Sequence, residues 1–188
     1  MAASGSHVTR RIALTGTPGT GKSTVARSLS RRHEMAEVGD IARRLGCARG
    51  DSNRVVVDVG RLVRLLRQKP SRFESDLVVG HLAHLLPIRD VVVLRCHPQE
   101  LARRLRAAGK GNARNRKENV LAEAIGLIMS EALARGRIVL EVDTSGRTPA
   151  QVAREVERWA SGPRHARWGR VDWLRDPAVT EHLMDWAD

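Results

Sequence analysis

Apolar residues along this chain fall into two kinds of run. Short continuous stretches, Ile12-Ala13-Leu14 and above all Val91-Val92-Val93-Leu94, lack polar alternation, as strands buried on both faces of a parallel sheet require. Between such runs, apolar residues recur at spacings of three and four, as in Val25, Ala26 and Leu29 or in Val59, Leu62, Val63 and Leu66, which is the spacing of one helical face. The pattern predicts strands at 11–15, 35–38, 75–79, 90–94 and 138–142. Helices are predicted over 22–32, 41–45, 55–68, 98–107, 118–135 and 148–160, with Pro98 and Pro149 in first turns and Gly109 just past an end. The polar stretch 48–54 reads as a loop, and 110–117, almost free of apolar residues, as a mobile flap. Strands alternating with helices mean an α/β fold, a parallel sheet with right-handed crossovers.

At 188 residues the chain suits one such domain with a small appendage. Composition shifts after residue 160: Gly162-Pro163 breaks the chain, and Trp159, Trp168, Trp173 and Trp186 are the only tryptophans. The expected organisation is a loose tail at 1–10, a core at 11–160 and an extension at 161–188 that packs back on the core or meets a partner. No run approaches the roughly 18 apolar residues of a membrane span, so no membrane partner is expected. The first ten residues hold no apolar core of a secretory signal. Cys47 and Cys96 are too few for a disulfide framework; they read as free thiols of a cytoplasmic protein. Net charge is +12, and since lysine stands only at 22, 69, 110 and 117, 29 of the 33 basic residues are arginine. Arginine pairs with phosphate through two parallel hydrogen bonds, so the surplus points to nucleotides or RNA, against the plainer reading of a merely basic surface.

One motif sharpens this. Gly16-Thr17-Pro18-Gly19-Thr20-Gly21-Lys22-Ser23-Thr24 matches GxxxxGK[ST] directly after the first apolar run. A strand feeding a glycine-rich turn and then a helix offers backbone N–H groups at a positive helix end, which holds phosphates. Gly19, Thr20 and Gly21 belong to the loop that approaches the phosphates; Lys22 reaches the β- and γ-phosphates. Ser23 is the expected Mg²⁺ ligand and Thr24 a further phosphate contact, so ATP and Mg²⁺ are the expected cofactors.

Further segments resemble one P-loop family, the archaeal-type adenylate kinases related to the eukaryotic coilin-interacting nuclear ATPase. They are Val38-Gly39-Asp40-Ile41-Ala42-Arg43, Val56-Val57-Asp58-Val59, Gly80-His81-Leu82-Ala83-His84-Leu85-Leu86-Pro87, Val93-Leu94-Arg95-Cys96-His97-Pro98, Glu118-Asn119-Val120-Leu121-Ala122-Glu123-Ala124 and Glu141-Val142-Asp143-Thr144. With the phosphate loop they span about residues 10 to 160 in order. The resemblance implies a nucleoside monophosphate kinase-like P-loop core of five parallel strands with helices on both faces. It also implies a monophosphate-binding region at about 37–57, a lid at about 107–117, and ATP + AMP going to 2 ADP alongside a slower ATPase. Gly39, Asp40, Arg43 and His81 would then bind the monophosphate, while Lys22, Arg106, Arg114 and His81 would be catalytic. Members are described as assembly factors of the small ribosomal subunit, so a small-subunit ribosomal protein and rRNA are implied partners.

Two positions depart from the family. The acidic residue expected two positions before His81 is Val79, with Asp76 three residues too early; Asp58, ending its own apolar run, is the alternative metal holder. The lid arginine expected before Gly109 is Ala108, for which Arg106, Lys110, Arg114 or Arg116 would substitute. Since an arginine reaching the transition state is worth about 10³ to 10⁵ in rate, reduced transfer is expected. The alternatives are therefore a nucleotide-switched binding factor with weakened catalysis, and a small-metabolite kinase that shares only the phosphate loop.

Overall fold

The computed structural model describes residues 11–50, 55–109 and 111–187. The expected tail at 1–10 and the end of the expected loop at 48–54 lie outside them. The parallel sheet is present, with strands β1 (Ile12–Gly16), β2 (Met35–Glu37), β5 (Leu77–Val79), β6 (Asp90–Arg95) and β7 (Ile138–Asp143) in the order β2-β5-β1-β6-β7. Every pairing between these five strands is parallel, with Leu14 opposite Val79 on one side and Val92 on the other.

Side-chain alternation splits the core in two. Ala13, Val78, Val91 and Val93 face helices α2 (Val38–Arg44), α3 (Val59–Gln68) and α6 (Leu127–Ala134), meeting Ile41, Leu62, Leu66 and Met129. Ile12, Leu14, Val92 and Leu94 point the other way, onto Val25 and Leu29 of α1 (Lys22–Leu29) and Val152 and Trp159 of α7 (Pro149–Ser161). Full burial of a leucine such as Leu14 or Leu94 is worth about 1.5–3 kcal/mol. Both faces being covered explains the absence of alternation in the strand sequences.

Three expected elements need correction. The helix expected over 55–68 begins with a strand: β3 (Ala48–Gly50) and β4 (Val55–Val57) form an antiparallel pair, and Asp58 then caps α3 by accepting the Arg61 N–H at 2.9 Å. A short valine run fits a strand as well as a helix turn, and β-branching favours the strand. The single helix expected over 118–135 is two, α5 (Ala113–Ala124) and α6, broken at Gly126 with φ +65°. Glycine adopts that left-handed conformation without a Cβ penalty. The flap expected at 110–117 is helical from Ala113 onward, because the Asn112 side chain accepts the Asn115 N–H at 2.8 Å.

The C-terminal segment packs back on the core. Arg167 forms a parallel bridge to Leu140 at the β7 edge, and Arg164 forms an ion pair with the buried Asp90 at 2.7 Å. The last helix, α8 (Pro177–Ala187), lies against α5 and α4 (Pro98–Ala107), with Leu183 joining Leu101, Leu105 and Val120 in a third apolar cluster. Cys47 and Cys96 are free and buried. Among the described residues, no helix is long and apolar enough to cross a membrane.

Candidate active site

Parallel strands aim their carboxyl ends at one edge of the sheet, and ligands of such folds bind there, where the strand order reverses. β1 ends at that edge between β5 and β6 and runs into residues 16–21. Gly19 takes φ +96°, and a Cβ on it would stand 2.7 Å from Leu101 Cδ1, so the loop closes only around glycine here. Gly21 then caps α1 with no side chain, leaving the helix start to its backbone N–H groups. The Lys22 ammonium donates to the carbonyls of Gly16 at 2.7 Å and Thr17 at 2.9 Å, which stretches it across the loop.

Gly19, Thr20, Gly21, Lys22, Ser23 and Thr24 all line one cleft of about 510 Å³, together with His81, Ala108, Arg104 and Arg147. His81 follows the end of β5. Its ring reaches solvent on one side, yet loss of hydration on the others lowers its pKa, and the charges of Lys22 and then His84 push the same way. It faces the cleft as a neutral imidazole near pH 7. Behind it His84 is buried, with Nε2 2.7 Å from Glu131 and Nδ1 3.1 Å from the Thr15 hydroxyl. Burial lowers the His84 pKa against the opposing pull of Glu131, and a neutral ring protonated on Nε2 satisfies both contacts.

The remaining expected site residues stand outside this cleft. Asp40 and Arg43 pair with one another on the exposed face of α2, one residue and four residues past Gly39. Arg106 borders a neighbouring cavity beside His97 and Trp173, and Arg114 pairs with Glu118 at 3.0 Å on α5. Sequence reading overlooked Arg104 and Arg147. Arg104 lies one helical turn before Ala108 on α4 and donates to the Thr144 carbonyl at 2.9 Å; Arg147 follows β7 at the same sheet edge and pairs with Glu155 at 2.7 Å. The i, i+4 relation to the expected lid position was the available signal for Arg104.

Val79 is 3% exposed within the aliphatic core, so the end of β5 presents no carboxylate. Asp76 is engaged elsewhere, 2.8 Å from His33, and Asp58 caps α3. Among the described residues no cluster of three or more His, Cys, Asp or Glu is placed to hold a metal by itself. A magnesium ion fits nonetheless: the Ser23 hydroxyl is exposed beside Lys22, and with phosphate oxygens and water it makes the hard oxygen set this ion takes.

Behind the loop lies a buried ionic network that sequence reading also overlooked. Glu123, 2% exposed, accepts from the Thr17 hydroxyl at 2.6 Å and from Arg95 Nε at 2.7 Å. Arg95 Nη1 in turn donates to Glu141 at 2.8 Å.

Strand, glycine loop, helix and a lysine drawn across the loop at the carboxyl edge of a parallel sheet define a P-loop nucleotide-binding protein. Comparison with known proteins narrows the class. Residues 12–126 match the family described as AAA domain. Three archaeal proteins named "Putative adenylate kinase" are similar over almost their whole length. That of Thermococcus onnurineus is 37% identical over 176 residues, covering 92% of this chain and 97% of the relative. That of Pyrococcus abyssi is 37% identical over 164 residues, covering 86% and 90%. That of Halobacterium salinarum is 38% identical over 170 residues, covering 87% and 97%. The chain belongs to this AAA-domain P-loop family, together with those archaeal relatives. A solved structure of the Deinococcus radiodurans tunicamycin resistance protein shares the fold alone, at 18% identity and a TM-score of 0.50 over 84% of this chain and 99% of that one.

Proposed function

We propose that the protein transfers the γ-phosphoryl group of ATP to AMP, giving 2 ADP, with slower hydrolysis of ATP as a side activity. The observation that carries this reading is the convergence of the phosphate loop, Lys22, neutral His81, Arg104 and Arg147 on one cleft, in a chain whose relatives bear the name of that activity. Residues 19–24 bind the ATP phosphates. Lys22 and the two cleft arginines neutralise charge that spreads over the transferred group, and Ser23 would hold Mg²⁺, which would supply further positive charge there. Arg106 near the end of α4 and Arg114 at the start of α5 reach the cleft only if these helix ends close over it; closure also excludes water. Gly39, Asp40 and Arg43, past the carboxyl end of β2, receive the monophosphate with His81.

In this reading the chain acts in the cytoplasm on small-subunit ribosome maturation, meeting a ribosomal protein and rRNA. Support comes from the family resemblance and from the +12 charge. A second reading, a nucleotide-switched assembly factor with weakened transfer, is favoured by Val79 and by the bare methyl group of Ala108 in the cleft. An acceptor screen with ATP and Mg²⁺ tests the first reading: AMP is used in preference to other nucleoside monophosphates and to hydroxyl metabolites such as shikimate. Use of a metabolite with AMP ignored overturns it. For the second reading, Lys22→Ala abolishes turnover yet keeps small-subunit binding; loss of both means that nucleotide drives assembly.

A further inference from the structure

We infer that Glu123 is a positioning residue for the phosphate loop, and that through it the C-terminal segment 162–187 forms a working part of the ATP site. The inference rests on the reading that residues 19–24 bind ATP, and extends it to residues far from the cleft.

Three hydrogen bonds of the loop converge on Thr17. Its carbonyl accepts from Lys22 Nζ at 2.9 Å and from the Thr20 hydroxyl at 2.8 Å. Its own hydroxyl, 2% exposed with the rest of the residue, has donated to Glu123 Oε2 at 2.6 Å. The position of this one carboxylate therefore sets the position of the carbonyl on which the phosphate-binding lysine rests. A short bond between a hydroxyl and a buried carboxylate is among the stronger hydrogen bonds available.

The other oxygen of Glu123 is where the C-terminal segment arrives. Oε1 accepts from Arg95 Nε at 2.7 Å, from the Cys96 N–H at 3.1 Å and from Trp173 Nε1 at 3.3 Å. Arg95 ties the same segment down a second time. Its Nη1 bonds Glu141 Oε1, while Glu141 Oε2 accepts the backbone N–H groups of Gly169, Arg170 and Val171 at 2.9, 3.1 and 3.4 Å. A separate apolar path leads to the same loop. Leu183 of α8 packs in the cluster of Leu101 and Leu105, and these two leucines crowd Gly19 so closely that a Cβ there would stand 2.7 and 2.9 Å from them. Docking of 162–187 and the shape of the loop are thus linked at two points of the loop, Thr17 and Gly19.

Linkage makes the coupling reciprocal: if a docked segment favours the ATP-binding loop geometry, bound ATP must favour the docked segment. A network that only stabilised the fold would show neither effect. The test is a double-mutant cycle on the dissociation constant of a non-hydrolysable ATP analogue, measured by calorimetry, joined to hydrogen exchange. Thr17→Val removes the hydroxyl that Glu123 holds, and Trp173→Phe removes the indole N–H that reaches its other oxygen. Each single change is expected to weaken ATP binding, about tenfold for Thr17→Val and about threefold for Trp173→Phe, with the double variant close to the weaker single one rather than to their product. Met35→Ala, an exposed change on the edge strand β2 and outside both the segment and the network, leaves the constant unchanged. In the wild-type protein the analogue slows exchange of the Gly169, Arg170 and Val171 amides severalfold, a readout that needs no variant to fold; in Thr17→Val that protection is lost. Multiplicative effects of the two substitutions, or amide exchange indifferent to ATP, overturn the inference. Failure of the wild-type protein to bind the analogue at all overturns the nucleotide reading itself, whereas binding with independent effects overturns this inference alone.

Discussion

Replacing Arg95 by methionine keeps most of the side chain's length and removes the guanidinium that lies between Glu123 and Glu141. All three residues are buried, Arg95 at 4%, Glu123 at 2% and Glu141 at 8% exposure. The guanidinium makes three contacts of 3.0 Å or less: Nε to Glu123 Oε1, Nη1 to Glu141 Oε1, and Nη2 to the Glu123 carbonyl. Without it, two carboxylates remain in the interior with hydrogen-bond donors but no opposite charge. Removing one partner of a buried ion pair costs about 3–5 kcal/mol, most of it the penalty of leaving the other charge uncompensated. For a chain of this size each kcal/mol moves the melting temperature by about 2–4 °C, so a fall of roughly 6–20 °C is expected. Thermal unfolding followed by circular dichroism, paired with urea titration, measures it. Arg95→Lys returns a charge without the fork that meets two carboxylates, and recovers only part of the loss. A melting temperature for Arg95→Met within about 3 °C of the parent, where roughly 1 kcal/mol is at stake, would refute the reasoning and mean that the interior relaxes or admits water.

Three further outcomes follow from the structure. Burial pushes the Cys96 thiol up to about 12, against the opposing pull of Arg104, and Cys47 is also buried, so neither reacts with a thiol-specific disulfide reagent at pH 8 in the native protein and both react in denaturant. The His84 pKa is lowered in the folded state, so as pH falls below about 6.5 the unfolded chain takes up a proton that the native one refuses. Stability is therefore lost on the acid side, by at most about 1.4 kcal/mol per pH unit for this one group, and denaturation of His84→Asn at pH 7.5 and 5.5 shows a smaller acid loss than the parent. Thr148 and Gln151 close a capping box at the start of α7, so Thr148→Ala lowers the unfolding free energy by about 1 kcal/mol in urea titration while leaving ATP binding unchanged.

Local chemistry was what the sequence made legible. β1 and β6 were readable because a sheet covered on both faces demands uninterrupted apolar runs, and α7 because Pro149 stands in its first turn. The phosphate loop was readable because its glycines and lysine act within nine residues. The β3–β4 pair was not, since three valines without flanking alternation suit either period. Nor was the break at Gly126, where the apolar pattern runs straight through and only a positive φ divides the helix. The site divides in the same way. Lys22 and His81 carry their roles within their motifs, whereas Arg104 and Arg147 reach the cleft only through folding, and Glu123, though it stands in one of the resembling segments, meets Thr17 across 106 positions of chain. No window of sequence contains both ends of such a contact.

The central claim is that this cleft passes a phosphoryl group from ATP to AMP with Lys22 as its principal cation. Phosphorus NMR of ATP, AMP and Mg²⁺ mixed with the protein tests it most directly, because substrate loss and ADP gain are read in one spectrum without coupling enzymes. Two ADP are expected for each ATP and AMP consumed, with the rate for Lys22→Ala down by at least about 10²–10³, the usual cost of losing a charge that meets the transition state. Unchanged ATP and AMP peaks, or ADP formed as fast by Lys22→Ala as by the parent protein, would contradict it.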